Sequence, residues 1–238
     1  MSGTRRSKEH RRERAFSPLL ANIFLHYVLD LWVHQWRRRH ARGSVSIVRY
    51  ADDFVMGFES AADARQMLDA LKERLAKFGL TLHEDKTRLI EFGRLPALAR
   101  QQRGRRRPGT FAFLGFTHYC GWTRDGRFII KRKTQSKRLR RKLKALRQEA
   151  WRHMHSPLAE QHRWLSSVLR GHYGYYGVPH NYPALSAFHQ EVRRIWYRAL
   201  RGRSQKAKCL NWDAFKAMLR RFPLPLPRIT QPWTAVRA

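Results

Sequence analysis

A chain of 238 residues, 42% hydrophobic and 12% aromatic, is long enough for one large domain or two small ones and can bury a core; a disordered chain would be aromatic-poor. Fifty Lys and Arg against 17 Asp and Glu leave a net charge of +33, and self-repulsion on that scale costs stability unless a polyanion neutralises it. Nucleic acid is the natural partner, and released counterions would make its binding steeply salt-dependent.

The charge is unevenly placed. Met1 to Glu91 holds 17 basic and 12 acidic residues, whereas Phe92 to Ala238 holds 33 basic and 5 acidic, which suggests two functional regions. Cys120 and Cys209 are far apart and give no C-x-x-C pairing, so they indicate neither a zinc site nor a disulfide framework and fit a reducing cytoplasm. No apolar run approaches the ~20 residues of a membrane helix. The Arg-rich start lacks a hydrophobic segment, so residues 1–16 read as a basic disordered lead-in rather than a secretory signal.

In chain order, Ser17-Pro18 opens the run SPLLANIFLHYVLDLWVHQW, with serine suited to an N-cap and proline to the first helical position. Leu19, Ile23, Val28 and Leu31 give a mostly helical period, and apolar residues on several sides predict a well-buried helix ending by Arg37 to His40 and Gly43. Val45 to Tyr50 and Phe54 to Phe58 are β-prone runs around Ala51-Asp52-Asp53, predicting a hairpin with two acids at its tip. Ser60-x-x-Asp63 resembles a capping box. Ala64, Met67, Leu68, Leu71, Leu75 and Phe78 follow at helical spacing, with Gly79 where a C′ residue belongs. Leu80 to Leu82 and Thr87 to Phe92 are short strand candidates, and residues 94–109 read as an exposed, mobile connector. Phe111 to Tyr119 and Arg127 to Lys131 look like strands joined by Arg124-Asp125-Gly126.

From Ser136 the pattern is helical. Leu139, Leu143, Leu146 and Ala150 form one stripe; Pro157 breaks that helix; further helices fall around Leu158–Tyr173, Pro183–Leu200 and Trp212–Phe222 before a Pro-rich tail. In the run KRKTQSKRLRRKLK, Lys131, Arg132, Lys133, Arg138, Arg140, Arg141 and Lys142 are candidates to follow phosphates while Leu139 and Leu143 dock. Arg170, Tyr173 and Tyr175, set among glycines, offer cations beside stacking rings, as RNA prefers; a packed aromatic turn is the plainer reading. Trp164, Trp196 and Trp212 fall on apolar helix faces and are expected in the core.

Tyr50-Ala51-Asp52-Asp53 is the sharpest chemical signal. Adjacent carboxylates at a tight turn repel each other, and a divalent metal resolves this: Mg²⁺ takes carboxylate oxygens, waters and substrate phosphates, and two such ions can clamp an in-line phosphoryl transfer. An Asp-Asp at a hairpin taken alone is more often a plain turn.

Five ordered motifs give the chain a resemblance to bacterial group II intron reverse transcriptase/maturases: SPLLANIFLH from Ser17, RYADDF from Arg49, GLTLHEDKT from Gly79, FLGF from Phe113 and LRGHYGYYG from Leu169. That resemblance implies an α+β fold, with a partial right-hand polymerase palm over 17–133 (an antiparallel hairpin with flanking helices) and an all-α basic thumb/maturase region over 134–238. It implies Asp52 and Asp53 as catalytic Mg²⁺ ligands, Tyr50 and Ala51 near the primer end and incoming nucleotide, Lys86 near its phosphates, and Leu114-Gly115 against the primer. Asp30 falls where the family carries a structural residue. The expected partners are intron RNA and an RNA template with a DNA primer, in a bacterial cytoplasm and without a membrane. A further palm aspartate and the basic fingers residues have no counterpart here, so the catalytic set is expected to be incomplete unless a separately encoded fingers/palm fragment supplies the rest. The alternatives are a non-catalytic RNA-binding splicing maturase and an inactive pseudogene product.

Overall fold

The computed structural model describes residues 18–102 and 109–231, so the basic lead-in and the N-cap expected at Ser17 lie outside the described residues. The chain forms two compact units, Met1–Glu91 and Phe92–Ala238. The division falls where the charge balance changes, and Thr134 lies inside the second unit.

In the first unit a helix, α1, occupies residues 18–39: an α-helical stretch over 18–25, a π-helical turn His26–Asp30, and an α-helical stretch Leu31–Arg39. Strands β1 (Val45–Tyr50) and β2 (Asp53–Phe58) pair antiparallel, and α2 (Ala61–Ala76) follows. Val28, Leu29, Val33 and Trp36 of α1 meet Met67, Leu71 and Leu75 of α2, and Val45, Ile47, Phe54, Met56 and Phe58 of the hairpin pack against them. Two helices thus cover one face of a two-stranded sheet.

The expectation of a well-buried α1 is corrected for its first half. Leu19, Leu20, Ile23, Phe24, Tyr27 and Leu31 are exposed, Leu20 at 62% and Tyr27 at 64%. The π turn inserts a residue into the helical register. The helix therefore turns one face to the core from Val28 onward and leaves an apolar stripe uncovered before it.

Ser60 caps α2 as the sequence predicts, its Oγ accepting from the amides of Ala62 and Asp63. The reciprocal arm of a capping box does not form. The buried Asp63 instead accepts from the amides of Arg42 and Gly43, at 2.8 and 3.2 Å, and so holds the turn leading into β1. Gly79, at φ 68°, closes the helix: its amide donates to Ala76 O and that of Leu80 to Leu75 O, the two bonds of a Schellman end that needs a left-handed C′ residue. No strand forms at Leu80–Leu82 or Thr87–Phe92. Leu80 and Leu82 pack on the core, while Leu89 and Ile90 are exposed; β propensity without a ladder partner does not make a strand.

In the second unit α3 (Arg94–Gln102) replaces the first part of the expected connector; residues 103–108 lie outside the described residues. The single strand expected over Phe111–Tyr119 is a hairpin, β3 (Thr110–Phe113) and β4 (Phe116–Trp122), and β5 (Phe128–Thr134) completes a β3-β4-β5 antiparallel sheet. Helices α4 (Ser136–Arg152), α5 (Leu158–Tyr176), α6 (Tyr182–Arg201) and α7 (Trp212–Arg221) follow. Their core joins Leu146 and Ala150 to Leu165, Leu169, Tyr173, Leu185, Phe188, Val192, Ile195, Trp196, Phe215 and Leu224. Trp196 is core, as expected, with Nε1 donating to Gln161 Oε1 at 2.9 Å. Trp212, expected in the core, is 36% exposed at the start of α7. Fully buried Asn181 links sheet to helices: Oδ1 accepts from Thr134 N, and Nδ2 donates to Thr134 Oγ1 and Tyr176 O, all at 2.8 Å.

Candidate nucleic-acid site

In the first unit Tyr50 and Asp53 pair across the hairpin, leaving Ala51 and Asp52 as its two-residue loop. Asp53 therefore belongs to β2 rather than to the tip, and Tyr50, Ala51, Asp52 and Asp53 are all exposed. Ala51 sits at φ 54°, a left-handed conformation that costs a residue with a β-carbon about 1–2 kcal/mol. Strain of this kind gathers at functional sites and persists only where surrounding contacts over-determine it.

Arg49 supplies those contacts. Its Nε and Nη2 donate to Asp30 Oδ1 and Oδ2 at 2.8 and 2.6 Å, and its Nη1 donates to Asn22 Oδ1 and to the Ala51 carbonyl, both at 3.0 Å. This charge-assisted fork fastens the acidic turn to α1. Hydrogen bonding from Arg49 holds the Asp30 carboxyl below its ordinary range, against a smaller opposing effect of burial. The same bond raises the Arg49 guanidinium. Asp30 is thus engaged by Arg49, with His26 Nδ1 3.4 Å from its Oδ2, and holds the turn to α1. The sequence held a signal for this pair: Arg49 occupies an inward strand position after Val45 and Ile47, and Asp30 interrupts an apolar helix.

Asp52 and Asp53 offer two carboxylates, and among the described residues no group of three or more His, Cys, Asp or Glu side chains could hold a metal ion. Mg²⁺ is commonly held by one or two carboxylates with waters and substrate phosphates completing its six oxygens, so Asp52 and Asp53 are the residues here that would hold such an ion, with the remaining oxygens supplied from outside this pair. Lys86 is exposed on a turn in which the Lys86 and Thr87 amides donate to His83 O.

The second unit carries its own strained hairpin tip. The Phe113–Phe116 pair leaves Leu114 and Gly115 as a two-residue loop, at φ 47° and 79°. Positive φ at both positions is the type I′ signature, for which Leu is a poor fit and Gly a good one. A β-carbon on Gly115 would lie 3.0 Å from the Tyr176 hydroxyl and 3.5 Å from Arg138 Cδ, so a larger residue would crowd Tyr176 as well as strain the backbone at this φ. The Tyr175 hydroxyl donates to Leu114 O at 2.8 Å, and the Gln135 amide donates to Gly115 O at 2.9 Å.

Around this tip the cations divide. Arg138, Arg140, Arg141, Lys133 and Arg170 are exposed, with Lys137, Lys144 and Arg147 extending the surface along α4; Lys131 and Arg132 on β5 are half-buried. Two of the expected RNA contacts are corrected. Tyr173 is 1% exposed and donates its hydroxyl to Pro225 O, so its ring belongs to the core. Lys142 turns inward, its Nζ 3.3 Å from His172 Nδ1 and 5.5 Å above the Phe188 ring, and burial lowers its pKa. The helical period puts Lys142 beside the Leu139–Leu143–Leu146 stripe, where a long aliphatic stem can bury. Tyr175 remains 49% exposed and stacks on Phe116 at 5.8 Å and 14°.

Residues 15–118 match the family described as reverse transcriptase (RNA-dependent DNA polymerase). No match was found among curated proteins. The family match supports a reverse transcriptase relationship for this stretch, and with it a nucleic-acid template and primer as partners. The antiparallel hairpin and three-stranded sheet among helices are consistent with part of a polymerase palm. Among the described residues no helix is long and apolar enough to cross a membrane.

Proposed function

We propose that this protein is a group II intron-type reverse transcriptase/maturase polypeptide. It holds structured RNA and a primed template on the cationic helices after Thr134, and it does not polymerise on its own. The observation that carries this reading is the acidic turn Tyr50–Asp53, pinned at a strained tip by Arg49, within a stretch that matches the reverse transcriptase family. The intron specificity rests on the ordered motifs, LRGHYGYYG included. Incomplete catalysis rests on Asp52 and Asp53 standing exposed with no third acidic, His or Cys group gathered beside them among the described residues, since positioning and charge stabilisation carry phosphoryl transfer. The uncovered stripe on α1 supports a separately encoded fingers/palm fragment as a partner.

Primer extension with Mg²⁺, dNTPs and a primed RNA template tests this directly. The chain alone is expected to yield no product, and DNA synthesis would overturn the claim of incompleteness. Intron RNA binding by filter retention is expected to weaken about a thousandfold or more between about 50 and 200 mM salt, as when six or more phosphates are neutralised. A flat response would remove the electrostatic basis. The second reading, a splicing maturase without polymerisation, is favoured by the concentration of cations beyond Glu91; faster intron splicing by the chain alone would select it.

A further inference from the structure

Leu114 is a branched side chain held at φ 47°, where asparagine, aspartate or glycine would be the ordinary choice. Two hydrogen bonds from outside the β3–β4 ladder oppose its relaxation. The Gln135 amide reaches Gly115 O from the start of α4, and the Tyr175 hydroxyl reaches Leu114 O from the last turn of α5, 61 residues away in sequence. The Tyr175 ring is itself fixed: it stacks on Phe116 at 5.8 Å, and Tyr176 meets both rings edge-on, at 5.2 Å from Phe116 and 4.8 Å from Tyr175. A tyrosine offered only as a stacking platform would need no hydroxyl partner. This one points its hydroxyl at the carbonyl of a strained residue and leaves half of its surface in solvent, while the exposed Arg138 lies against the same tip at Gly115. The arrangement repeats the logic of Ala51, whose carbonyl at another left-handed tip receives Arg49.

We propose that Tyr175 is a positioning residue: its hydroxyl locks the Leu114-Gly115 tip in its left-handed form, so that the backbone there meets a primer strand lying on the cationic surface of α4 and α5. The proposal rests on the reading of Leu114-Gly115 as a primer contact. It adds a residue from the helical region that sets the geometry of that contact. Only the hydroxyl is needed for the lock, so the ring alone cannot replace it.

The test uses the full chain and a fluorescein-labelled RNA template annealed to a DNA primer. Tyr175→Phe keeps the ring and removes the bond. It is expected to speed hydrogen exchange in the peptide covering residues 113–116 and to weaken hybrid binding about three- to tenfold. Because no charge is lost, the salt slope of binding is expected to stay unchanged. Leu114→Asn, which tolerates positive φ, is then introduced into Tyr175→Phe and is expected to restore both the exchange rate and the affinity. A merely structural tyrosine gives no such rescue. Exchange at the wild-type rate in Tyr175→Phe, or failure of Leu114→Asn to rescue it, overturns the lock. Faster exchange with wild-type affinity overturns the positioning role. If the wild-type chain does not bind the hybrid, the primer reading fails and the positioning role with it, while exchange and rescue still decide the lock.

Discussion

At the scale of single residues, side chains that hold backbone in place matter as much as those exposed to a substrate. Arg49 makes four hydrogen bonds, two of them to Asp30, and only a guanidinium spans that fork. Arg49→Lys is therefore expected to cost the first unit about 1.5–3 kcal/mol, the range for hydrogen bonds to charged groups, read by urea denaturation. Hydrogen exchange at Ala51–Asp53 is expected to rise with it. Because the Asp30 pKa is lowered in the fold, its contribution is present above the unfolded carboxyl pKa of about 3.9 and is lost as pH falls through the lower folded value. His172 acts in the same direction, over a higher pH range. It is buried, Lys142 faces its Nδ1, Nε2 has no partner among the described residues, and burial pushes its pKa down to about 3. Below about pH 6.5 the unfolded chain takes up a proton that the fold refuses, so stability falls with pH by up to about 1.4 kcal/mol per unit. Burial lowers His118 and His189 in the same sense. Thermal melts of the wild type between pH 7 and 5 are expected to show this slope, and His172→Gln is expected to flatten part of it while keeping an acceptor for Lys142.

At the scale of elements, α1 has two characters. From Val28 onward it is a core helix; before Val28 it carries a stripe of exposed Leu, Ile, Phe and Tyr. Contiguous exposed apolar surface marks an interface or an aggregation liability. Leu20→Ser with Phe24→Ser is expected to raise solubility, measured by static light scattering, while shifting the melting temperature of the first unit little, because neither side chain is buried. Unchanged association would remove the stripe as an interface. The hairpins teach a second lesson. The β1–β2 turn was legible because alternating Val45, Ile47, Phe54, Met56 and Phe58 bracket a polar turn. The Leu114-Gly115 turn was not, because leucine carries no turn signal and the flanking Phe113 and Phe116 read as one continuous apolar strand. The helices from Ser136 onward were legible because Pro157, Gly177 and Asn211 interrupt long 3.6-residue periods.

At the scale of the whole molecule, charge and core diverge. The second unit holds 33 of the 50 Lys and Arg together with the larger hydrophobic core. A polypeptide of residues 92–238 is expected to retain most of the RNA affinity and salt slope of the full chain, whereas residues 1–91 are expected to bind weakly; electrophoretic mobility shifts at fixed salt check this. Comparable affinity of the two pieces would place recognition elsewhere than on the cationic helices.

Composition and pattern by themselves determined the expectation of a polyanionic partner, the acidic hairpin and the helical half, since net charge, two-residue alternation and 3.6-residue periodicity are local or additive properties of the chain. Only the tertiary structure decided which of those residues face solvent. Tyr173 and Lys142 go inward because α5 and α6 pack against the side of α4 that carries its leucine stripe, a relation between segments 30 or more residues apart that no window of sequence contains. The tips at Ala51 and Leu114 were settled in the same way. Their strain is local, but the Arg49–Asp30 fork and the Tyr175 hydroxyl that hold it exist only once distant segments have met.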